Sequence, residues 1–226
     1  MKRENLGIFK KKIVYLIPGQ GADLRLFNNL TIDSAYKIRH VQYFTPEKGL
    51  TLQEYAKQLS TQIDTEQEFV LIGVSLGGML ATEMAEFLSP KKVIIISSAK
   101  NRKELPLQFR FQRTIPLYKI LTPALAKKGA LIMQPIIEPD RNKEKETFVQ
   151  MLTDKDPIFL RRTIEMIIKW ERELSLSKIT HIHGNKDRTI PIKNVKYDYL
   201  INQGSHMMTL TRGQEISRLI NKILKN

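Results

Sequence analysis

A serine flanked by glycines is the feature of this chain whose residue types and spacing point most directly to chemistry. The pattern reads Gly73-Val74-Ser75-Leu76-Gly77. An apolar run of strand length precedes it and a helix-forming run follows it, so the serine is expected at a sharp turn from strand to helix. Such a turn lifts the hydroxyl out of the sheet, and the helix N-terminus favours developing negative charge. Ser75 is therefore a candidate nucleophile, with an ordinary turn serine as the alternative.

A serine hydroxyl becomes a good nucleophile when a base accepts its proton and a third group orients that base. The four histidines of the chain are His40, His181, His183 and His206. His206 follows the strand-like run at 197–201, where its side chain can reach the carboxyl edge of a sheet. Asp187 follows an earlier strand-like run, residues 179–183. The chain order of serine, aspartate and histidine is the order expected for this kind of serine turn.

A glycine-rich turn near the N-terminus supplies a further element. The apolar run at 12–17 predicts a strand, and the turn Pro18-Gly19-Gln20-Gly21-Ala22-Asp23 follows it. A backbone N–H in such a turn can point at the carbonyl oxygen of a substrate. We expect Gln20 to provide one N–H of an oxyanion hole and Leu76, the residue after the candidate nucleophile, to provide the other. Asp23 is expected to cap the helix that follows the turn.

These segments together resemble the α/β-hydrolase superfamily over nearly the whole chain. The resemblance rests on four stretches: the turn at 18–23, the serine turn at 73–78, the acid loop at 183–191 and the histidine loop at 204–208. It implies that Ser75 is the nucleophile, His206 the general base and then general acid, and Asp187 the group that orients the histidine. Pro18 departs from the pattern, since many members have a histidine before the oxyanion glycine. This departure leaves the pocket wall and the substrate preference open.

The acid and the base have structural alternatives. Asp187 and His206 would also suit turns that they merely cap. Some members of the superfamily carry the acid after the preceding strand, but here the first carboxylate after the run at 92–97 is that of Glu104. This spacing favours Asp187 as the acid.

His181 and His183 form a separate pair with one residue between them. On a strand both would face the same side, as metal ligands can. No third ligand of suitable spacing accompanies them, so packing or hydrogen bonding is favoured over a metal site. His40 is expected to be structural. No metal and no organic cofactor is predicted.

Strands and helices alternate along most of the chain. Apolar runs of strand length recur at 12–17, 37–43, 69–74, 92–97, 178–183 and 196–201, and helical patterns lie at 22–30, 52–63, 76–88, 161–173 and 214–224. This alternation predicts an α/β fold with a mostly parallel sheet flanked by helices, which the resemblance identifies as the α/β-hydrolase fold. A leading edge strand at 6–9 would extend the sheet.

Residues from about 100 to 160 interrupt this alternation. The superfamily carries a cap over the active site at this place, so the resemblance implies one domain over residues 1–226 with a small helical cap inserted between sheet strands. Phe109, Phe111 and Tyr118 of this segment, with Met207 beside the candidate base, would line an acyl-sized pocket. Alternatively, such side chains simply pack the cap against the main domain.

Composition narrows the class of protein. A chain of 226 residues, 42% of them hydrophobic, can bury a sizeable core. The basic N-terminal residues 1–7 lack the apolar core of a signal peptide, cysteine is absent, and no apolar run is long enough to span a bilayer. The expectation is a cytoplasmic protein without a transmembrane segment.

The positive charge of the chain bears on its partners. Thirty-seven basic and 23 acidic residues give a net charge of +14. This charge suits an anionic partner such as coenzyme A, an acyl carrier or a phospholipid surface, or it reflects only a solvated basic surface. No nucleic-acid motif with interleaved aromatic residues is present, so a nucleic-acid partner is not favoured.

The sequence thus predicts a serine hydrolase that cleaves a small to medium carboxylic ester or thioester through an acyl-enzyme on Ser75. Cleavage of an acyl-coenzyme A or acyl-carrier thioester would use the same three residues. The alternative from another class is a non-catalytic binding protein that keeps the fold and uses its basic surface.

Overall fold

The computed structural model describes residues 11–116, 122–176 and 178–225, and its centre is a parallel sheet. The strands are β1 (Lys12–Ile17), β2 (Tyr36–His40), β3 (Phe69–Val74), β4 (Lys92–Ile96), β5 (Ile179–Gly184) and β6 (Tyr199–Ile201). They form a six-stranded sheet in the order β2-β1-β3-β4-β5-β6, and every neighbouring pair is parallel. The predicted fold class is confirmed. The edge strand predicted at 6–9 lies outside the described residues.

Helices cover both faces of this sheet. They are α1 (Leu52–Ser60), α2 (Leu76–Met84), α3 (Leu107–Phe111), α4 (Pro123–Ile137), α5 (Lys145–Thr153), α6 (Pro157–Lys169), α7 (Met208–Thr211) and α8 (Gly213–Lys225). Buried side chains of α1, α2 and α6 pack on one face. Those of α7 and α8 pack on the other, together with Met151 of α5.

Strand β1 shows how the sequence divides the core between these faces. Successive side chains of a strand point to opposite sides. Ile13, Tyr15 and Ile17 accordingly join the cluster with α1, α2 and α6, whereas Val14 and Leu16 join the cluster with α8. Both sets are buried, as expected of a central strand in a parallel sheet that helices cover on both sides.

Two predicted helices have different boundaries in the structure. The pattern at 22–30 forms only a short 3₁₀-helix, Leu24–Phe27, which Asp23 caps as predicted by accepting the backbone N–H of Arg25 at 3.0 Å. The helix predicted at 161–173 is α6, which begins four residues earlier. Asp156 caps it by accepting the N–H of Ile158 at 2.9 Å, and Pro157 suits the first helical turn because its missing N–H would have no partner there.

The chain between β4 and β5 contains α3 to α6. Helix α6 packs against α1, and its Phe159, Met166 and Ile167 belong to the buried core. Helices α3 and α4 both contact α6, and α4 also contacts α5. Across the described ranges, no helix has the length and apolar character needed to cross a membrane.

Candidate active site

The candidate nucleophile occupies the sharp turn between β3 and α2. Ser75 has a φ of +53°, a left-handed conformation that non-glycine residues rarely adopt. The turn is closed by the N–H of Ser75, which donates to the carbonyl of Ile96 at 3.0 Å. A Cβ on Gly73 would lie 2.2 Å from the carbonyl oxygen of Gly77, and one on Gly77 would lie 2.1 Å from that of Ile17. Both glycines are therefore required sterically, as the sequence pattern predicts.

The structure brings the three predicted residues of the site together at the carboxyl edge of the sheet. The distance from Ser75 Oγ to His206 Nε2 is 3.0 Å, and His206 Nδ1 lies 2.8 Å from Asp187 Oδ2. Since an ionised carboxylate can only accept, His206 donates from Nδ1. In the neutral ring Nε2 is then the acceptor, and the hydroxyl of Ser75 donates to it. This is the tautomer in which the histidine can take a proton from the serine.

The acid is held by its own loop. Asp187 is buried, and its second oxygen, Oδ1, accepts the backbone N–H groups of Thr189 at 2.9 Å and Ile190 at 2.8 Å. These bonds leave Oδ2 directed at the histidine. The carboxylate is thereby fixed in one orientation.

The acid loop and the histidine loop touch backbone to backbone. A Cβ on Gly184, at the end of β5, would lie 2.2 Å from the carbonyl oxygen of Gly204. The N–H of Lys186 also donates to that oxygen at 2.9 Å. Close approach without side chains therefore sets the spacing between Asp187 and His206.

The environment of His206 favours its protonated form. Burial opposes the charge, but the negative charge of Asp187 and the hydrogen bond to it outweigh burial and raise the pKa of His206 above its ordinary value. The charge of Glu138 acts in the same direction. A base with a raised pKa accepts the serine proton more readily, provided that the pH keeps it neutral beforehand.

The predicted oxyanion turn lies beside the serine. A Cβ on Gly19 would be 3.4 Å from the Cβ of Ser75, so the turn lies close to the candidate nucleophile. Leu76 is the first residue of α2, where a backbone N–H has no acceptor within the helix. Gln20 is anchored through its side chain, whose Nε2 donates to the carbonyl of Leu160 at 2.7 Å and to Thr163 Oγ1 at 2.8 Å. The turn is thus tied to α6.

His181 and His183 are buried on the same face of β5, as their spacing predicts. Nε2 of His181 lies 3.1 Å from Nδ1 of His183. The outer nitrogens face backbone carbonyls, Nδ1 of His181 that of Lys196 at 3.1 Å and Nε2 of His183 that of Ile190 at 2.8 Å. Two neutral rings carry only two ring protons between them, so at most two of these three contacts are hydrogen bonds at once. Burial lowers the pKa of both rings. Nε2 of His183 also lies 3.6 Å from Asp187 Oδ2, which is beyond hydrogen-bond distance.

The histidines outside the Ser75–His206–Asp187 chain lie among packing and polar contacts. Within the described ranges, no group of three or more histidine, cysteine, aspartate or glutamate side chains is arranged to hold a metal ion. His40 lies at the end of β2 with its ring 6.1 Å from that of Phe27, a packing contact. The ring nitrogens of histidines 181 and 183 face each other and the backbone carbonyls of Lys196 and Ile190.

Glu138 is a member of the site that the sequence analysis does not single out. It follows α4, is 2% exposed, and accepts the backbone N–H of Met207 through Oε2 at 3.2 Å. Its other oxygen, Oε1, is buried without a hydrogen-bond partner among the described residues. Burial raises the pKa of this carboxyl. No local pattern marks a lone glutamate 69 positions from its partner, so only the fold reveals the contact.

The four predicted pocket residues occupy different environments. Met207 is buried in the cluster with α8, and Phe109 packs partly buried against the cluster with α6. Phe111 is 56% exposed, and Tyr118 lies outside the described residues. A lining role for these residues remains a prediction.

Comparisons with known proteins agree with this architecture. A model of the family described as "Uncharacterised protein family (UPF0227)" matches residues 26–105, which include the serine turn but not Asp187 or His206. A search of curated proteins finds no significant match.

Solved structures share the fold at low sequence identity. A hydrolase from Pseudomonas aeruginosa PA01 superposes with a TM-score of 0.70 at 14% identity, over 96% of this chain and 91% of that one. A thermophilic esterase from Thermogutta terrifontis gives 0.67 at 14% identity, over 94% and 89%. The enol-lactonase from Burkholderia xenovorans LB400 gives 0.66 at 12% identity, over 96% and 92%. The chain therefore has the α/β-hydrolase fold.

Proposed function

We propose that the protein is a serine hydrolase that cleaves a small to medium carboxylic ester or thioester through an acyl-enzyme on Ser75. The observation that carries this proposal is the hydrogen-bonded chain from Ser75 Oγ through His206 to Asp187, with distances of 3.0 and 2.8 Å. Fold alone would not suffice, because one fold hosts many functions. The esterases and the lactonase of similar fold add support for ester chemistry.

The first half of the reaction forms the acyl-enzyme. Ser75 Oγ attacks the carbonyl carbon while His206 Nε2 takes the hydroxyl proton. Asp187 stabilises the resulting imidazolium and keeps its ring oriented. The tetrahedral intermediate then collapses, the bond to the leaving oxygen or sulfur breaks, and His206 returns the proton to that atom. The alcohol or thiol departs.

Water completes the cycle. His206 takes a proton from a water molecule, whose oxygen attacks the acyl carbon. The bond from that carbon to Ser75 Oγ breaks, and the serine recovers its proton from His206. The carboxylic acid leaves and the starting state is restored.

The N–H groups of Gln20 and Leu76 are the proposed donors to the oxyanion in both halves. The closeness of Gly19 to Ser75 and the position of Leu76 at the start of α2 support this assignment. Removing one donor of this kind from an oxyanion hole raises the activation free energy by about 3 kcal/mol. Side-chain substitution leaves a backbone donor in place, so Gln20→Ala would test the anchoring of the turn on α6.

We assign a cap role to the chain from about 100 to 160, inserted into a single domain over residues 1–226. Support comes from two contacts that reach the site: Glu138 with Met207, and the side chain of Gln20 with α6. A cap so placed would shape the acyl pocket. A cytoplasmic location remains a prediction from the sequence.

A second candidate is cleavage of an acyl-coenzyme A or acyl-carrier thioester. The net charge of +14 favours anionic leaving groups of this kind. Competition between soluble p-nitrophenyl esters and the matching acyl-coenzyme A would separate the two. The thioester candidate requires the higher kcat/KM for the coenzyme A substrate, together with a steep loss of that preference at high salt.

Covalent labelling with a fluorophosphonate probe, read by intact-protein mass spectrometry, tests the proposal. We expect one adduct on the wild-type protein and on Ser60→Ala, a control serine at the end of α1, and none on Ser75→Ala. Circular dichroism of each variant establishes that it is folded. Absence of an adduct on the folded wild type would contradict an activated serine and favour a non-catalytic binding protein.

A further inference from the structure

The helices between β4 and β5 present large apolar side chains to solvent. Six of them, each between 46% and 72% exposed, are Leu107, Phe111, Ile115, Leu125, Ile132 and Met133. Leu107, Phe111 and Ile115 follow one another at intervals of four residues along α3 and the turn after it, and Leu125 and Ile132 lie seven residues apart on α4, the spacing of one helix face. Exposed apolar groups of this size on one segment are typical of an interaction surface. We call these six side chains the apolar rows of α3 and α4.

The same segment is basic and contains no acid. Residues 105–137 include five lysines and arginines and no aspartate or glutamate. Arg110, Arg113 and Lys128 are exposed, and Arg113 pairs with Glu171 at the surface. A segment that combines exposed aliphatic and aromatic side chains with an excess of positive charge has the composition of an interfacial membrane-binding element.

Helices α3 and α4 are linked to the candidate active site through α6 and Glu138. Both contact α6, whose Leu160 and Thr163 hold the side chain of Gln20. Helix α4 leads directly into Glu138, which bonds the backbone beside His206. A surface that docks through α3 and α4 would therefore be connected to the catalytic groups through short contacts.

We propose that the apolar rows of α3 and α4, with the basic residues between them, dock the protein on an anionic phospholipid surface. The apolar side chains enter the boundary between headgroups and acyl chains, and the lysines and arginines bind lipid phosphates. Docking deepens the proposed function, on which this part rests: the substrates would be acyl esters dissolved in the lipid. Membrane affinity of this kind needs both signals, since either alone is weak.

Charge argues against the two rival occupants. A second copy of the chain would bring two segments of five positive charges each into contact, which repulsion disfavours. An acidic protein would satisfy the charge, but it would bury six large apolar side chains only if it offered a matching apolar surface. A lipid surface supplies both negative charge and an apolar interior.

Flotation with vesicles tests the proposal, using the Ser75→Ala protein so that no lipid is consumed. We expect binding to vesicles of mixed phosphatidylcholine and phosphatidylglycerol, and weak binding to phosphatidylcholine alone. The substitution Phe111→Ser with Ile132→Ser should reduce the affinity at least about tenfold. Arg110→Gln and Lys128→Gln should each reduce it about fivefold, with the effect shrinking as salt is added.

Two control variants test whether a loss of vesicle binding is specific to the apolar rows and the basic residues between them. Phe87→Ser changes an exposed aromatic residue just after α2, and Lys222→Gln changes an exposed cation of α8. Both should bind as the parent does. No binding to anionic vesicles, or equal loss in the control variants, would overturn the proposal. A dimer in size-exclusion chromatography that Phe111→Ser abolishes would show that a second copy occupies the surface instead.

Failure of the docking proposal can be told from failure of the proposed function. Hydrolysis of a soluble short-chain ester by the wild type reports the catalytic site without lipid. Hydrolysis without vesicle binding overturns the docking alone. Vesicle binding without hydrolysis upholds the docking surface and overturns the enzyme assignment.

Discussion

The carboxyl edge of the sheet and the helical segment from α3 to α5 differ in how their side chains are partnered. At the edge, the polar groups of Ser75, His206 and Asp187 are paired, and glycines bring backbones into contact. Along α3 and α4, large apolar side chains face solvent and α3 has no buried residue. Under the proposed function, the edge would perform chemistry that demands fixed geometry, and the segment would select what reaches it.

The largest effect should come from the acid at the edge. Asp187→Asn keeps the shape but offers an amide to His206, which favours the wrong tautomer, so we expect kcat/KM to fall by about 10⁴-fold. Steady-state kinetics on a soluble ester would measure it. Asp33→Asn, remote from the site, is the control. A loss under tenfold would mean that Asp187 does not orient the base, and Glu138 would become the next candidate acid.

The second-largest loss of activity is expected from a substitution of Gly184, where the acid loop and the histidine loop are in contact. In Gly184→Ala the added methyl group meets the carbonyl oxygen of Gly204, so the acid and histidine loops must separate. A misplacement of about 1 Å costs roughly a hundredfold in kcat/KM. Gly129→Ala adds a methyl group in α4 where nothing lies within 4 Å, and it should leave activity unchanged. Equal activity of the two variants would show that the loop contact does not set the geometry.

The dependence of kcat/KM on pH is expected to report the protonation of His206. Under the proposed mechanism, activity requires neutral His206, and Asp187 and Glu138 raise its pKa above the ordinary value. As the pH falls through that pKa the imidazole is protonated, so kcat/KM should decline about tenfold per pH unit, with a midpoint above the ordinary histidine value of about 6.5. A pH–rate profile on a soluble ester measures it. A midpoint below that value would contradict the electrostatic account of the site.

Glu138 links the two regions that are compared, because it belongs to the helical segment and accepts the backbone N–H of Met207 beside His206. Glu138→Gln keeps an oxygen that can accept the N–H of Met207 but removes the charge. We expect a loss of about fivefold in kcat/KM and a shift of the acid limb to lower pH, since His206 loses one of the charges that raise its pKa. Glu144→Gln, on the same segment, is the control. A reduced rate with an unmoved acid limb would indicate a purely structural role.

The smallest effect should come from the apolar rows. Phe111→Ser removes a side chain that is largely exposed, so turnover of a soluble short-chain ester should change by less than about twofold. The same variant should bind anionic vesicles more weakly. A large loss on the soluble ester would assign Phe111 to the acyl pocket, as the sequence analysis predicts, rather than to the docking surface.

Much of the edge is predictable from local sequence because its geometry is local. The serine turn needs glycines at 73 and 77, and the structure shows backbone oxygens close to both positions. The fold class follows from alternating strands and helices, and the structure confirms it. The boundaries of helices are harder to predict. Residues 22–30 form only a 3₁₀-helix, since tertiary packing overrides weak helical propensity.

Other members of the site depend on contacts between distant parts of the chain. Glu138 lies 69 positions from Met207, and Gln20 lies 140 from Leu160. Ile190 connects His183 to Asp187, since its carbonyl faces His183 Nε2 and its N–H donates to Asp187 Oδ1, and this connection depends on the loop that returns Ile190 toward β5. No periodicity or motif encodes such contacts, because they arise only when elements pack.

The sequence by itself thus determined the parallel sheet, the strand–serine–helix turn and the identity of the three candidate catalytic residues. These features follow from apolar periodicity, from the steric need for glycine and from short motifs, all of which are properties of neighbouring residues. The tertiary structure alone decided the distances between the three side chains, the burial of Glu138 beside the base and the exposure of the apolar rows on α3 and α4. These properties depend on which elements pack against each other, and the energy of that packing is shared among residues far apart in the chain.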